Sequence, residues 1–168
     1  HNGFVNIDQK KMSKSLDNFC TLRNIYKSYL PEVLRFFLLT VHYRSPIDFS
    51  QQSLKEAGKA LRRFYDFLSA SEKANIWSQF FKNSIKLEER KTNPFIKKFQ
   101  AAMNDDFNSA LALAHMNDEL RNLNKTLHEI SEAKQDEEKQ RQFCLDLHDF
   151  KKAGETLGFF FMEPEEFK

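Results

Sequence analysis

The chain has 168 residues, 30% of them charged and 40% hydrophobic, with a formal net charge of +2. That is room for one ordinary domain or two small ones with a true core, and it excludes a disordered tail, a collagen-like repeat and a strongly basic nucleic-acid arm. No run approaches the ~20 apolar residues of a membrane span. Cys20 and Cys144, 124 positions apart, fit neither a zinc spacing nor a disulfide framework, so a reducing cytoplasm is the expected setting.

Phe4-Val5-Asn6-Ile7-Asp8 favours a short strand. Gln9 to Asn18 is polar and rich in lysine and serine, and reads as a loop. Thr21 is placed to cap a short helix to Tyr29, with Leu22 and Ile25 inward. Pro31 suits the first turn of the next helix, where a missing N–H costs nothing. That helix carries Leu34, Phe37, Leu38 and Val41 on one face, and Pro46 to Ser50 breaks it. From Ser50 the pattern is helical. Leu54, Ala57, Leu61, Phe64 and Leu68 form one apolar stripe, and residues 75–92 lose the period and read as a connection. Pro94 opens a helix with Phe95, Phe99 and Met103, which Asn104-Asp105-Asp106 interrupts. Leu113, Met116, Leu120, Leu123, Leu127 and Ile130 follow in steps of 3, 4, 3, 4 and 3. After a charged stretch from Glu132 to Arg141, Phe143, Leu147, Phe150 and Leu157 mark a last helix that Gly158 stops.

The expected fold is therefore mainly α. A small α/β piece over residues 1–50 precedes an antiparallel bundle of about four helices over 51–168. The 18 phenylalanines make a phenylalanine-rich core, and the four glycines and four prolines disfavour a turn-dense β-sandwich. The first piece carries net +3 and the second net −1. The start at His1, with neither an initiator methionine nor a signal segment, points to a piece of a longer polypeptide.

Lys11-Met12-Ser13-Lys14-Ser15 is the sharpest chemical feature. Two ammonium groups and two hydroxyls within five residues can wrap a polyphosphate, the lysines neutralising charge and the hydroxyls and backbone N–H groups donating hydrogen bonds. A lysine- and serine-rich loop is commonly just solvated, but this string should arise by chance in well under about one in a thousand chains of this length.

The string is that of class I aminoacyl-tRNA synthetases, and its context resembles cysteinyl-tRNA synthetases. The resemblance rests on His1-Asn2-Gly3-Phe4, Leu16, Asn18-Phe19, Pro31-Glu32-Val33-Leu34-Arg35-Phe36-Phe37, His42-Tyr43-Arg44-Ser45 and Phe49-Ser50. It returns at Met103-Asn104-Asp105-Asp106-Phe107-Asn108. It implies a loop that closes over ATP, with magnesium, as cysteine is activated to the adenylate. Lys14 would bind ATP as the main catalytic cation, with Lys11, Ser13 and Ser15 holding phosphates and Met12 packing beneath. Residues 1–50 would hold the end of a catalytic domain and a stem-contact fold, and residues 51–168 a bundle that leans on tRNA(Cys). The family's zinc ligands and its other class signature would lie upstream of His1, and its anticodon module beyond Lys168. A monomer acting with ATP, cysteine and tRNA, without a membrane, is implied. Asp17 stands where the family usually has glycine, and Leu30 where it often has a capping aspartate.

Alternatives remain open at this point: a stand-alone helical RNA- or protein-binding module, and the related ligase that joins cysteine to a sugar amine. The residues proposed for tRNA contact are Arg35 and Arg44, for which Glu32 or Asp48 is an alternative partner, and the basic stripe Lys55, Lys59, Arg62 and Arg63. Lys82, Lys86, Arg90, Lys91, Lys97 and Lys98 form a second basic cluster. His42 reads as a structural hydrogen-bonding residue. Asp105 and Asp106 read as carboxylates favoured at a helix N-terminus. The two cysteines read as core thiols.

Overall fold

A computed structural model describes residues 3–7, 10–13, 21–74, 93–132, 136–164 and 167. Strand β1 (Val5–Ile7) lies between β2 (Lys10–Lys11) and β3 (Ile47–Phe49), antiparallel to the first and parallel to the second. The strand expected near Phe4 to Asp8 is present as β1. β2 falls in the stretch read as loop, and β3 in the stretch read only as a helix break. Two or three residues are too few to show alternation, and pairing to β1 rather than propensity makes them strands.

Thr21 caps α1 (Leu22–Ile25) as expected, its Oγ1 accepting from the Asn24 N–H at 3.3 Å. Only Ile25 turns inward. Leu22, expected beside it, is 57% exposed, because so short a helix meets the core only at its end. α2 (Pro31–Leu39) begins at its proline, and Leu30 before it makes no side-chain cap. Its buried face is Glu32, Val33, Leu34, Phe36 and Phe37, while Leu38, expected inward, is 48% exposed. At 100° per residue the observed stripe is turned towards Glu32. That edge carries Val33 and Phe36, the latter against the rings of Phe64 and Phe159, and Tyr65 Oη donates to Glu32 Oε2 at 2.6 Å, which satisfies the glutamate that the apolar edge carries inward.

The expected bundle follows in α3 (Gln51–Lys73), α4 (Pro94–Asn104), α5 (Ser109–Glu132) and α6 (Glu137–Leu157). Ser50, Asn93 and Asp136 cap three of these helices, accepting from the N–H groups of Ser53, Phe95 and Lys139 at 3.0, 2.8 and 2.9 Å. Every residue of the predicted stripes on α3 and α5 is buried. α5 and α6 run antiparallel, so Lys139 near the start of α6 bonds Glu129 near the end of α5. That bond, and then the charge behind it, holds the Glu129 carboxyl below its ordinary range. Phe64 of α3 meets the rings of Phe36, Phe150 and Phe160. Each such phenylalanine contributes roughly 1.5–3 kcal/mol by leaving water.

α6 ends in a Schellman motif. Gly158 has φ 81°, its N–H donates to Glu155 O at 3.0 Å, and the Phe159 N–H donates to Gly154 O at 2.8 Å. The chain then folds back over the core, with Phe159 and Phe167 buried and the Phe167 ring stacked on Tyr65 at 4.3 Å. Phe160 lies over Gly154, where a Cβ would sit 1.9 Å from its ring. The returning tail has no periodicity, and the sequence gives no warning of it. Buried residues from both sides of residue 50 join one hydrophobic cluster. Among the described residues no helix is long and apolar enough to cross a membrane.

Candidate functional site

The predicted phosphate loop leaves the edge of the small sheet. Lys10 pairs with Ile7 and Lys11 with Asn6. The Met12 N–H then donates to Val5 O at 3.0 Å, which extends the pairing one residue further. Met12 and Ser13 are half-buried. The Lys11 side chain, Lys14, Ser15, Asp17 and Cys20 lie outside the described residues. The sheet thus fixes the backbone at the entrance to the motif.

Gly3 secures this sheet to the turn that holds His42, Tyr43, Arg44 and Ser45. Its N–H donates to Tyr43 O at 2.8 Å, and the Ile47 N–H donates to Phe4 O at 2.9 Å. A Cβ on Gly3 would sit 2.0 Å from the Ser45 carbonyl oxygen and 2.8 Å from the Pro46 nitrogen. Backbone cannot yield as a side-chain tip can. Gly3→Ala is therefore expected to detach β1 from the 42–45 turn, at a cost of about 1–3 kcal/mol for the overpacked contact. Amide exchange at Met12 and Ile47 would report it as faster exchange, with the α5 amides unchanged.

The same turn closes on the bundle. Tyr43 Oη donates to Asp106 Oδ1 at 2.8 Å, and Arg44 reaches both oxygens of that carboxylate, Nη2 to Oδ1 at 3.2 Å and Nε to Oδ2 at 3.0 Å. Arg44 Nε also donates to Tyr43 Oη at 2.9 Å. The Tyr43 hydroxyl first, and the Asp106 charge second, hold the Arg44 proton more tightly than usual. His42 stacks on Tyr43 with centroids 4.8 Å apart, accepts from the Arg44 N–H at Nδ1, and sets Nε2 3.8 Å from Asp106 Oδ2. His42 thus has the structural role expected of it.

Two sequence expectations are corrected here. Arg44 pairs with Asp106 rather than with Glu32 or Asp48. Asp105 and Asp106 do not open a helix: Asp105 is the C-cap of α4, and Asp106 lies in the turn before α5, whose first turn is served by Asn108 Oδ1 accepting from the Leu111 N–H. Both segments carry the family resemblance, but nothing local in either reveals that they touch.

The four basic residues of the predicted stripe on α3 are exposed. Arg62 lies 3.7 Å from Asp66. Arg63 lines a groove of about 500 Å³ between α3 and α5 with Asn117, Arg121 and Asn124. Arg35 is exposed and lies against the end of α6, where a Cβ on Gly158 would be 2.9 Å from its Cδ. Lys97 and Lys98 are exposed, and the rest of the second basic cluster lies outside the described residues. Cys144 is buried, which pushes its thiol up to about 11 and leaves it unreactive at neutral pH. Among the described residues no group of three or more His, Cys, Asp and Glu could hold a metal ion.

Comparison with known proteins agrees with this geometry. Residues 1–59 match the family described as tRNA synthetases class I (C) catalytic domain, and residues 98–161 match the DALR domain. The chain is 44% identical over 164 residues to the cysteine–tRNA ligase of Syntrophotalea carbinolica, covering 98% of this chain and 33% of that protein. It is 42% identical over 168 residues to that of Maridesulfovibrio salexigens, covering 99% and 34%. It is 49% identical over 130 residues to that of Geobacter sp. strain M21, covering 76% and 27%. The chain thus spans about a third of the length of the curated relatives it matches. With two domain matches in order and 42–44% identity over alignments that cover 98–99% of it, the chain belongs to the class I synthetase family that these cysteine–tRNA ligases represent.

Proposed function

We propose that this chain is the nucleotide-loop and tRNA-facing part of a ligase that joins cysteine to its tRNA, acting as a cytoplasmic monomer. One observation carries the reading. The Lys11 to Ser15 string begins at the end of β2, inside the class I catalytic-domain match. The cysteine carboxylate attacks the α-phosphate of magnesium-bound ATP, the bond to pyrophosphate breaks, and cysteinyl-adenylate forms. A 3′-terminal hydroxyl of the tRNA then attacks the adenylate carbonyl and AMP leaves. Lys14 is assigned to the phosphates as negative charge moves onto the departing pyrophosphate, assisted by Lys11, Ser13 and Ser15, with Met12 seating the loop. Preorganised cations of this kind accelerate the step because they meet more charge in the transition state than in the ground state.

Residues 1–50 would serve this activation step and residues 51–168 the RNA. The exposed face of Lys55, Lys59, Arg62 and Arg63 is assigned to the tRNA backbone, and Arg35 and Arg44 belong to its edge, Arg44 with its charge already paired to Asp106. The names of the relatives favour tRNA over a sugar amine as the acceptor.

The test is exchange of labelled pyrophosphate into ATP by the full-length protein, with cysteine and with methionine. Exchange with cysteine alone is the expected result. Exchange with methionine would keep the class and overturn the amino acid. No exchange with either, from folded and zinc-replete protein, would leave a helical RNA- or protein-binding module.

A further inference from the structure

The α4–α5 turn is built in a conformation that ordinary residues avoid. Asp106 and Phe107 are both left-handed, with φ 52° and 54°, and Phe107 is 69% exposed, so no core contact explains its backbone. The Ser109 N–H donates to Phe107 O, and the Phe107 N–H donates to Met103 O, so the turn is held by its own bonds. The Asp106 carboxylate it presents meets Tyr43 and Arg44 in a forked arrangement across 62 residues of chain. An exposed ion pair alone is worth little. A carboxylate that takes both nitrogens of a guanidinium edge and a phenol at once fixes direction as well as charge.

What Asp106 fixes continues into the sheet. The Tyr43 carbonyl accepts from Gly3, Phe4 O accepts from Ile47, and Val5 O accepts from Met12. The turn between two bundle helices is thus joined, bond by bond, to the backbone that leads into the Lys11 to Ser15 string. We propose that Asp106 is a positioning residue for the nucleotide loop: it anchors Tyr43 and Arg44 and, through Gly3, sets the edge of β1 and β2 from which the loop departs. The proposal rests on the ligase reading.

The test has two arms. In the full-length protein, Asp106→Asn and Tyr43→Phe are each compared with the parent by amide hydrogen exchange. The expected result is about tenfold faster exchange at Gly3, Met12 and Ile47, with the α5 amides unchanged, and a double variant no worse than the stronger single one. Tyr43→Phe removes one hydroxyl and keeps the arm readable where the Asp106 variant folds poorly. In the full-length protein the same variants should lower kcat severalfold in pyrophosphate exchange, with a smaller effect on KM for ATP, and leave KM for cysteine unchanged. Unaltered exchange at those three amides, or equal acceleration through α5, would overturn the latch. If the unmodified full-length protein exchanges no pyrophosphate, the ligase reading and the ATP part of the proposal fall together. The amide data still decide whether Asp106 holds the sheet.

Discussion

Lys14→Ala in the full-length protein should slow cysteine-dependent pyrophosphate exchange by about 10²- to 10³-fold, the loss typical of removing one preorganised donor from a developing anion. The argument is electrostatic. Pyrophosphate gains charge as the α-phosphate bond breaks, and a lysine placed there in advance needs no reorganisation at the moment of reaction. Its loss should fall mainly on kcat, because the interaction strengthens in the transition state, and less on KM for ATP. Lys14→Arg keeps the charge but replaces a compact ammonium with a planar fork, so it should recover activity only in part. Lys10→Ala is the control. Lys10 is exposed, pairs with Ile7 through backbone alone and stands outside the string, so exchange should be little changed. Binding of tRNA should survive Lys14→Ala, since the residues assigned to RNA, on α3 and at Arg35 and Arg44, all lie outside the string. If exchange holds at the parent rate with lysine absent at 14, the assignment of that residue is wrong.

How much of this was legible depends on the range of the interactions. The stripes on α3 and α5 are local in period, and every residue named in them is buried. The caps at Thr21 and the stop at Gly158 are equally local, and both hold. The loop string is a property of five consecutive residues, so the family could be read from it and its neighbours. Contacts between distant segments leave no period. β2 and β3 exist because β1 lies between them, and no window of their own sequence shows it. Arg44 had plausible acidic partners nearby in sequence, and the fold supplied Asp106 instead. The rotation of α2 had the same origin. A helix read alone does not say which of its apolar edges is covered, and here Phe36 meets Phe64 and Phe159 while Glu32 is paired by Tyr65, 33 residues away.

That pair carries the second large effect. Glu32→Ala should destabilise the chain by about 2–4 kcal/mol, by leaving a buried phenol without its acceptor. Glu32 Oε1 also accepts from the Phe161 N–H at 3.3 Å, so one carboxylate ties α2 to α3 and to the tail beyond α6. Tyr65 is 1% exposed, so its hydroxyl depends on partners within the fold. In a chain of this size the loss corresponds to a fall in Tm of roughly 5–15 °C. Tyr65→Phe should cost less, about 1.5–3 kcal/mol, because the carboxylate keeps its bond to Phe161. Adding it to Glu32→Ala should cost little more, since the phenol O–H has already lost its carboxylate acceptor; a sum of the two single effects would show that they act separately. The pH dependence gives an independent check. Burial, and then the hydrogen bond to Glu32, raise the Tyr65 phenol well above its ordinary value. Below the unfolded value of about 10 both states hold the proton and the full stabilisation is present. Above it the unfolded chain releases a proton that the folded chain retains, so the unfolded state binds fewer protons and stability falls as pH rises. Urea titrations of parent and Tyr65→Phe at pH 8 and about pH 10.5 should therefore show their difference narrowing at the higher pH. A difference that stays constant or widens would mean that the phenol is not held protonated by the fold.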